Sequence, residues 1–310
     1  MKDQTTIAIC CSTFRRHGGL RDLLESLATL EFTEPRPEIK VVVTNNDPED
    51  EEPRRIVEEW ARANACQADY LEEHQRGLSF PRNRALDHTV DDHDFIAFID
   101  DDSTARADWL QQLLDVRAET GADVVTGPVA PVFESTPPDW IIQGGFFAPA
   151  SRKTGRRLDR AFTNNVLISS ESIRRTEARF DPDFALFGSE DTLFFRSMTR
   201  QGVTIVWAEK ALVDDCVPTT RATKQWLIMR HQRTGMCTSV MEIRFRGHLF
   251  GALLLTAKAI VWIILGTGLF TIGLFRNEAT RVRARCWLAW GRGLILGMLG
   301  RNYAEYLHER

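Results

Sequence analysis

The chain has 310 residues, of which 43% are hydrophobic and 26% are charged, with a formal net charge of −4. This length and composition exclude an intrinsically disordered chain, a collagen-like chain and a disulfide-dense secreted scaffold. A mean hydropathy of −0.25 excludes a polytopic membrane protein.

Charge is distributed unevenly along the chain. Residues 241–310 carry ten Lys or Arg and four Glu, a net charge of +6, so the remaining residues have a net charge of −10. A basic and apolar segment after an acidic body predicts a soluble domain with one end that contacts a membrane surface. The acidic body lacks the positive field that binds phosphate backbones, so we expect no nucleic-acid partner.

The N-terminal residues do not resemble a targeting segment. Residues 1–6 are polar, and the apolar run at 7–11 is shorter than the hydrophobic region of a signal peptide, so we expect the body in the cytosol. The six cysteines include no CxxC pair, and we expect reduced thiols at positions 10, 11, 66, 216, 237 and 286.

Strands and helices alternate over the first 130 residues. The hydrophobic pattern predicts strands at 5–11, 39–44, 69–72, 94–99 and 123–129, and helices at 20–30, 53–64, 79–90 and 108–120. Further along, it predicts strands at 164–169 and 203–207 and a helix at 189–201. This order is typical of an α/β fold whose mainly parallel sheet has helices on both faces.

Three polar segments, 13–16, 45–47 and 100–102, follow predicted strands. Ligands of parallel sheets bind beyond the carboxyl ends of the strands, so we expect these segments to converge on one edge. Asp100, Asp101 and Asp102 repel one another unless a cation is near, and an all-oxygen ligand set favours Mg²⁺ or Mn²⁺. The alternative is a solvated acidic loop.

Three further segments have both a functional and a structural interpretation. Arg82 follows the turn at Gly77 and is suited to binding a diphosphate; the alternative is an ordinary surface residue of a helix. Glu190 and Asp191 open a predicted helix, where they act as a general base or complement the helix dipole. Arg230 and Arg233 share one helix face, which binds an anion or is simply solvated.

Several of these segments, in this order, resemble the motifs of family 2 glycosyltransferases. The strand-end sequence Ser12-Thr13-Phe14-Arg15-Arg16 resembles Pro-Thr-Tyr-Asn-Arg of that family, and the triple aspartate resembles its DxD signature. The other matching segments are Asn45-Asn46-Asp47 at the nucleoside-binding acidic pair, Gly77 to Asn83 at the Gly-x-x-x-Ala-Arg-Asn motif, Glu190-Asp191 at the acceptor-side ED motif, and Arg230 to Gly235 at the late basic motif. The resemblance covers about residues 5–240 and is greatest to bacterial succinoglycan-type exopolysaccharide glucosyltransferases.

The resemblance implies a GT-A fold. Residues 1–240 would form the glycosyltransferase domain, with a nucleotide-sugar-binding half at about 1–130 and an acceptor-binding half at 131–240. Residues 241–310 would form membrane-associated helices. The implied reaction is inverting transfer of a hexosyl group, with UDP-glucose favoured as donor, to a glycan or lipid-linked acceptor. The implied setting is exopolysaccharide or cell-surface polysaccharide synthesis at the cytoplasmic face of the inner membrane of a bacterium.

The resemblance also implies roles for residues. Asp191, beside Glu190, would be the catalytic base. Mg²⁺ or Mn²⁺ would be held by Asp102 and Asp100. Asp215 lies near the position where many members have a metal-binding histidine, and it would substitute for that ligand. The residues assigned to the nucleotide sugar are Thr13, Arg16, Asn45, Asp47, Arg82, Asp100, Asp101, Arg230 and Arg233. Asn45 replaces the aspartate that usually contacts the base in this family.

Two alternatives remain open at this point. Asp100-x-Asp102-x-Thr104 also matches the nucleophile loop of haloacid-dehalogenase-like phosphatases, with Lys210 and Asp214-Asp215 as their later motifs. However, that loop normally ends the first core strand. The other alternative is a catalytically silent membrane-associated scaffold.

The apolar segment 249–275 is long enough to span a bilayer. A single span with a cytosolic body would place the arginine-rich stretch 276–285 on the outer side, against the positive-inside rule. The alternatives are a re-entrant hairpin broken at 266–268 and a helix lying on the membrane surface. Residues 286–300 read as an interfacial helix or an imperfect second span.

Overall fold

The computed structural model describes residues 4–301 and divides into two compact units. We call the first the sheet unit; it comprises Met1–Pro131, Pro149–Leu186 and Glu190–Cys216. We call the second the helical unit; it comprises Val132–Ala148, Phe187–Ser189 and Val217–Arg310.

The first part of the chain alternates strands with helices, as the sequence predicts. In chain order the elements are β1 Thr6–Thr13, α1 His17–Ala28, β2 Glu38–Asn45, α2 Glu52–Asn64, β3 Gln67–Glu72, α3 Ser79–Thr89, β4 Phe95–Phe98, β5 Ser103–Ala105, α4 Trp109–Thr120, β6 Val124–Thr126 and β7 Val129–Phe133. Most of the predicted elements fall within three residues of these bounds.

The remaining elements are more varied. They are α5 Asp139–Gly144, β8 Arg157–Leu158, β9 Val166–Ser169, α6 Ser170–Thr176, a short 3-10 turn at Pro182–Phe184, α7 Glu190–Arg200, β10 Ile205–Trp207, β11 Val213–Val217, α8 Lys224–Arg246, α9 His248–Leu274 and α10 Glu278–Met298.

The sheet unit is built on eight strands in the order β3-β2-β1-β4-β9-β6-β10-β8. The first four are parallel, β9 runs antiparallel to both of its neighbours, and β6 and β10 are again parallel. In this register Thr13 lies level with Asn45, and Asn45 with Glu72. The carboxyl ends of β1, β2 and β3 therefore meet at one edge, as the sequence predicts.

Helices cover both faces of this sheet because its central strands alternate apolar side chains between two cores. Ile7 and Ile9 of β1 face one core with α1, α2 and α4, whereas Ala8 and Cys10 face another with α3, α6 and α7. The mainly parallel, doubly covered α/β sheet that was predicted is confirmed. No disulfide joins the six cysteines, all of which lie within residues 4–301, and burial raises the pKa of the Cys10 thiol to about 12.

A second, three-stranded sheet in the order β5-β11-β7 was not predicted. It places Asp215 level with Ser103, and the Cys216 amide donates to the Asp102 carbonyl at 2.9 Å. Strands this short carry no readable alternation, and the pairing of β5 with β11 joins segments more than 100 residues apart. Its consequence is that β11 lies directly beside the chain that leaves the triple aspartate.

The helical unit is dominated by α8, α9 and α10. The sequence predicts a boundary at 240, but α8 packs closely on α10, because Gly235 and Gly293 bring their backbones together. α8 therefore belongs with the C-terminal helices. Among the described residues one helix, His248–Leu274, is long and apolar enough to cross a membrane, by length and composition alone. Gly266–Gly268 does not interrupt that helix.

Candidate active site

The triple aspartate leaves the carboxyl end of β4 and is held by residues that follow β1. The Thr13 hydroxyl donates to Asp101 Oδ2 at 2.9 Å. Arg16 Nη1 donates to Asp101 Oδ1 at 3.0 Å and to Asp102 Oδ2 at 2.9 Å. Asp101 is thus enclosed by two donors and is 4% exposed, which makes it the internal anchor of the loop. Its neighbours Asp100 and Asp102 retain exposed side-chain fractions of 38% and 18%.

Gly19 of α1 lets this loop approach the helix. A Cβ added at Gly19 would lie 2.4 Å from the Asp101 carbonyl oxygen, a distance that real Cβ atoms do not show. Gly18, its neighbour, has no atom within 4 Å of an added Cβ. The sequence shows both glycines before the helix, but only the packing distinguishes their roles.

Arg82 joins the aspartate loop to the start of α7. It lies on α3, is 6% exposed, forms a buried ion pair with Glu190, and its Nη2 lies 3.5 Å from Asp100 Oδ1. Glu190 is 2% exposed, and its second carboxylate oxygen has no hydrogen-bond partner among residues 4–301. A buried carboxylate is costly unless it is paired, so Arg82 is what permits Glu190 to sit at this position.

Asp191 follows Glu190 at the start of α7 and is partly exposed. Its Oδ1 accepts from the Thr192 amide at 2.5 Å. Burial raises the pKa of Asp191 to about 7, the Glu190 charge adds to the rise, and Arg82 opposes it. Such a carboxylate takes up a proton near neutral pH, which is the property required of a general base.

Gly188 and Ser189 direct the chain into α7 through two successive residues with positive φ, at 78° and 68°. A positive φ is ordinary for glycine and unfavourable for serine. The strained Ser189 backbone immediately precedes the two carboxylates and fixes how the helix begins. Such strain is characteristic of functional sites.

Asn45, which the resemblance assigns to the nucleotide sugar, forms hydrogen bonds within its own loop. It is fully buried, and its Nδ2 donates to the Asp47 carbonyl, the Asp50 carbonyl and the Tyr70 hydroxyl. Its Oδ1 accepts from the Asp47 amide at 3.0 Å. The amide group of Asn45 is therefore engaged inside the loop and positions Asp47, and its assignment to the nucleotide sugar stays a prediction.

Asp47 lies in an ion pair with Arg15, whose φ of 56° is a left-handed conformation. The guanidinium groups of Arg15 and Arg76 both lie over the Phe14 ring, at 5.1 and 4.8 Å from its centroid. Arg76 and Asn46 were not predicted as site residues. Asn46 accepts from the Gly77 amide and donates to the Glu73 and Gln75 carbonyls. Asx residues after a strand are the usual signal of such a loop anchor.

The two aspartates of β11 point to opposite faces of their sheet, as successive strand residues do. Asp214 is held by two hydrogen bonds from Arg106, at 2.9 and 3.1 Å. Asp215 accepts from the Ser103 hydroxyl at 3.4 Å, beside the acidic loop. This arrangement favours Asp215 over Asp214 as an additional ligand near Asp102.

We define the acidic cluster as Asp100, Asp101, Asp102, Glu190 and Asp191. These five carboxylates are balanced by two arginines, Arg16 and Arg82, so the cluster retains an excess of negative charge. Burial raises the pKa of Asp100, and it raises that of Asp101 to about 6, as expected for carboxylates that lack sufficient counter-charge. The donor set is all oxygen and fits Mg²⁺ or Mn²⁺.

Within residues 4–301, no three His, Cys, Asp or Glu side chains already form a group that could hold a metal ion. Mg²⁺ commonly takes one or two carboxylates from the protein and the remaining ligands from phosphates and water. Asp100 and Asp102 match that partial set.

Arg230 and Arg233 lie on α8 of the helical unit. The Arg230 guanidinium lies 5.0 Å from the centroid of the Trp226 ring. Their assignment to the donor diphosphate stays a prediction.

Comparison with known proteins agrees with this architecture. The family model "Glycosyl transferase family 2" matches residues 8–178, more than half of the chain. The succinoglycan biosynthesis protein ExoM of Rhizobium meliloti (strain 1021) is 34% identical over 229 residues, which cover 74% of this chain and 72% of that protein.

Two solved structures share the fold at low sequence identity. The mannosyltransferase PcManGT from Pyrobaculum calidifontis, in complex with GDP-Man and Mn²⁺, has a TM-score of 0.63 at 16% identity, covering 97% of this chain and 89% of its own. S. aureus TarS 1-349 in complex with UDP-GlcNAc has a TM-score of 0.56 at 15% identity, covering 96% and 93%. In a longer structure of TarS, this chain spans 55% of the length.

The family match excludes the phosphatase interpretation of Asp100 and Asp102, which in any case follow the fourth strand and not the first. The GT-A sheet, the order of the motifs and the identity to a succinoglycan-type relative agree with this match. The chain therefore belongs to the family 2 glycosyltransferases.

Proposed function

We propose that the chain transfers a hexosyl group from a nucleoside-diphosphate sugar to a glycan or lipid-linked acceptor, with inversion at the anomeric carbon. The observation that carries this proposal is the position of Arg82, which contacts both Asp100 of the strand-end loop and Glu190 at the start of α7. One buried cation thereby fixes the donor-side carboxylates relative to Asp191. Such fixed relative placement is a main source of catalytic rate.

In this proposal Asp191 accepts the proton of the acceptor hydroxyl as that oxygen attacks the anomeric carbon. A pKa near 7 lets the carboxylate be ionised before the reaction and protonated after it. Glu190 and Arg82 hold the start of α7, while Thr13 and Arg16 orient the aspartate loop. Asp47 and Arg15 serve the nucleoside side of the site, and Arg230 and Arg233 are assigned to the diphosphate.

Asp100 and Asp102, with Asp215 as an additional ligand, would hold Mg²⁺ or Mn²⁺. When bound, such a cation neutralises the charge that develops on a departing diphosphate. Two features support this assignment: the excess negative charge of the acidic cluster and the Mn²⁺ in the PcManGT complex.

The setting we propose is cell-surface polysaccharide synthesis at the cytoplasmic face of a bacterial membrane. Support comes from the succinoglycan biosynthesis role in the name of the ExoM relative and from the apolar helix α9. A lipid-linked acceptor accounts for why a sheet unit with a net negative charge is joined to apolar helices. UDP-glucose is the donor we favour.

The base assignment is tested with Asp191→Asn. A general base contributes about 10²–10⁴-fold in rate, so we expect a loss of that size, equivalent to about 3–5 kcal/mol of barrier. The matched control is Asp159→Asn, whose side chain is 72% exposed on the same unit, and it should keep the wild-type rate. An Asp191→Asn enzyme that transfers sugar as fast as this control would refute the assignment.

Donor and stereochemistry are tested together. Purified full-length protein is given a panel of nucleoside-diphosphate sugars and membranes that carry polyprenyl-linked glycans, and products are read by mass spectrometry and NMR. We expect transfer from UDP-glucose with inversion of the anomeric configuration. Retention would contradict the single-displacement chemistry, and well-folded protein that transfers from no donor would support a silent scaffold.

A further inference from the structure

The outward surface of α9 is apolar along most of the helix, interrupted by the exposed Lys258 and by three exposed threonines. The most apolar stretch of this helix has a mean hydropathy of 2.1, yet only 22% of that stretch is buried. Leu253, Ile260 and Ile264 are 70%, 53% and 64% exposed. The buried residues form one narrow seam, at Gly251, Leu255, Ala259, Gly266 and Gly273.

α10 packs antiparallel along this seam. A Cβ at Gly273 would lie 3.0 Å from the Arg281 side chain, and one at Gly266 would lie 2.8 Å from Leu288. A Cβ at Gly291 would lie 2.9 Å from Ile263. Because Gly291 meets α9 at this point, the next residue, Arg292, lies close to the level of Val261, the middle residue of α9. Arg292 is exposed.

α10 in turn packs on α8. Gly293 lies against the Gln232 carbonyl, and the Ser239 hydroxyl donates to the Leu294 carbonyl at 2.8 Å. Arg230 and Arg233 of α8 lie within two residues of Gln232 and are consequently near the same level as Arg292. If α9 crossed a bilayer, these packed helices would carry several arginines to its centre, where a charged side chain is costly.

The basic side chains of α10 lie next to the apolar surface. Arg281, Arg285 and Arg292 are spaced by four and seven residues and share one helix face. The Arg285 guanidinium lies 5.8 Å from the centroid of the Phe270 ring of α9. A strip of arginines beside an apolar strip matches the headgroups and acyl chains of an anionic lipid layer. Two copies meeting through this face would bring like charges together.

We propose that the helical unit binds the surface of an anionic bilayer with α9 lying in the plane of one leaflet. The apolar side chains of α9 enter the acyl region, while Arg281, Arg285 and Arg292 extend to the headgroups. This inference deepens the membrane location of the proposed function and rests on it. Its tests require no sugar transfer, so their outcome is separate from that of the enzymatic proposal.

The first test asks on which side of the membrane the α9–α10 turn lies. Two proteins are compared, both carrying Cys66→Ser. In the first, the exposed Cys216 reports the side on which the sheet unit lies. In the second, Cys216→Ser is combined with Arg276→Cys, so that the new thiol reports the side of the exposed turn. Spheroplasts and inverted membrane vesicles of expressing bacteria are treated with a membrane-impermeant maleimide. We expect both thiols to react in the same preparation. Reaction in opposite preparations would show that α9 spans and would overturn the proposal.

The second test measures flotation of the full chain with vesicles of phosphatidylcholine, alone or partly replaced by phosphatidylglycerol. A near-surface arginine contributes about fivefold, so Arg281, Arg285 and Arg292 changed together to Gln should lower partition into anionic vesicles on the order of 100-fold. The matched control changes three exposed arginines of the sheet unit, Arg62, Arg156 and Arg157, to Gln.

Two outcomes would contradict the lipid assignment. One is equal binding of both vesicle types, or a triple variant that binds like its control. The other is a stable lipid-free dimer that does not bind vesicles, which would assign the apolar face to a second copy of the chain.

Discussion

Asp191 is a carboxylate whose surroundings favour its neutral form. Burial and the adjacent Glu190 raise its pKa to about 7, although Arg82 stabilises the ionised form. The environment that would prepare this group as the proposed base therefore makes its ionised form unfavourable in the folded state. Activity and stability should respond to pH in opposite directions.

The pH dependence follows from the sign of that shift. The base works when deprotonated, so kcat/KM of the wild type should rise from about pH 6 and level off above about pH 7–8. Because the folded-state pKa is raised, the folded state binds more protons than the unfolded state between about pH 4 and 7, and stability falls as pH increases through this range. Asp191→Asn should accordingly melt about 2–4 °C above the wild type at pH 8 and close to it at pH 4.

Two measurements check this pair of effects: initial rates at saturating metal across the pH range, and thermal melts of both proteins. A flat rate profile through neutrality would contradict the role of Asp191. An Asn variant that is less stable at pH 8 would contradict the direction of the pKa shift.

Asn45 stands where family members usually carry an aspartate, and its surroundings explain the difference. Its Nδ2 lies within hydrogen-bond distance of two backbone carbonyls, which can only accept, so a carboxylate oxygen at this position would lose both hydrogen bonds and face two acceptors. Asn45→Asp should destabilise the fold by about 2–4 kcal/mol in urea unfolding and weaken UDP binding. Asn277→Asp, at the exposed N-cap of α10, serves as control and should change little, because Asn277 accepts from the Thr280 amide through Oδ1 and a carboxylate keeps that bond. Tighter UDP binding by Asn45→Asp at unchanged stability would show instead that this position faces the base.

At the residue scale, the sequence indicated which side chains would gather but not how they would pair. The polar segments after β1 and β4 were predictable because strand ends share one edge, and Thr13, Arg16 and Asp101 do lie within hydrogen-bond distance. The contact of Arg82 with Glu190 joins residues 108 positions apart. Nothing local in the chain encodes such a pairing, and it is a property of the folded sheet.

At the level of elements, α1 is shaped by its contact with the aspartate loop. Gly18 and Gly19 are neighbours in the first turn, have ordinary φ values, and differ in what an added Cβ would meet. Substituting each glycine in turn therefore distinguishes the helix preference of the residue from the requirement for close packing against the aspartate loop.

Gly18→Ala should leave UDP binding intact and stabilise the protein by up to about 1 kcal/mol, because alanine favours the helix. Gly19→Ala forces α1 away from the Asp101 backbone and should cost about 1–3 kcal/mol, with weaker metal-dependent UDP binding. Urea unfolding and calorimetry on the two variants measure both quantities. If Gly19→Ala behaves like Gly18→Ala, the close approach of loop and helix is not required.

Most elements of the sheet unit were predictable because hydrophobic residues repeat with different periods in strands and in amphipathic helices. The three-stranded sheet of β5, β11 and β7 was not, since three to five residues give no measurable period and the partners are distant in sequence. The missed sheet nonetheless bears on the site, because it brings Asp215 beside Ser103.

At the scale of the whole molecule, composition predicted the acidic body and the basic, apolar end. It did not predict that α8 joins α9 and α10 in one unit, because the close contacts depend on glycines at matching levels of separate helices. Our proposal of in-plane association rests on that packing, because it places charged residues of α8 and α10 level with the middle of α9.

The central claim is that the aspartate loop after β4 binds the donor nucleotide together with a divalent cation. Calorimetric titration of UDP into the full-length protein, with and without Mn²⁺, tests it most directly. We predict Mn²⁺-dependent binding by the wild type, a loss exceeding about 100-fold in Asp102→Ala, and near wild-type binding in Asp214→Ala, whose side chain is paired with Arg106. An Asp102→Ala titration that matches the wild type would contradict the claim.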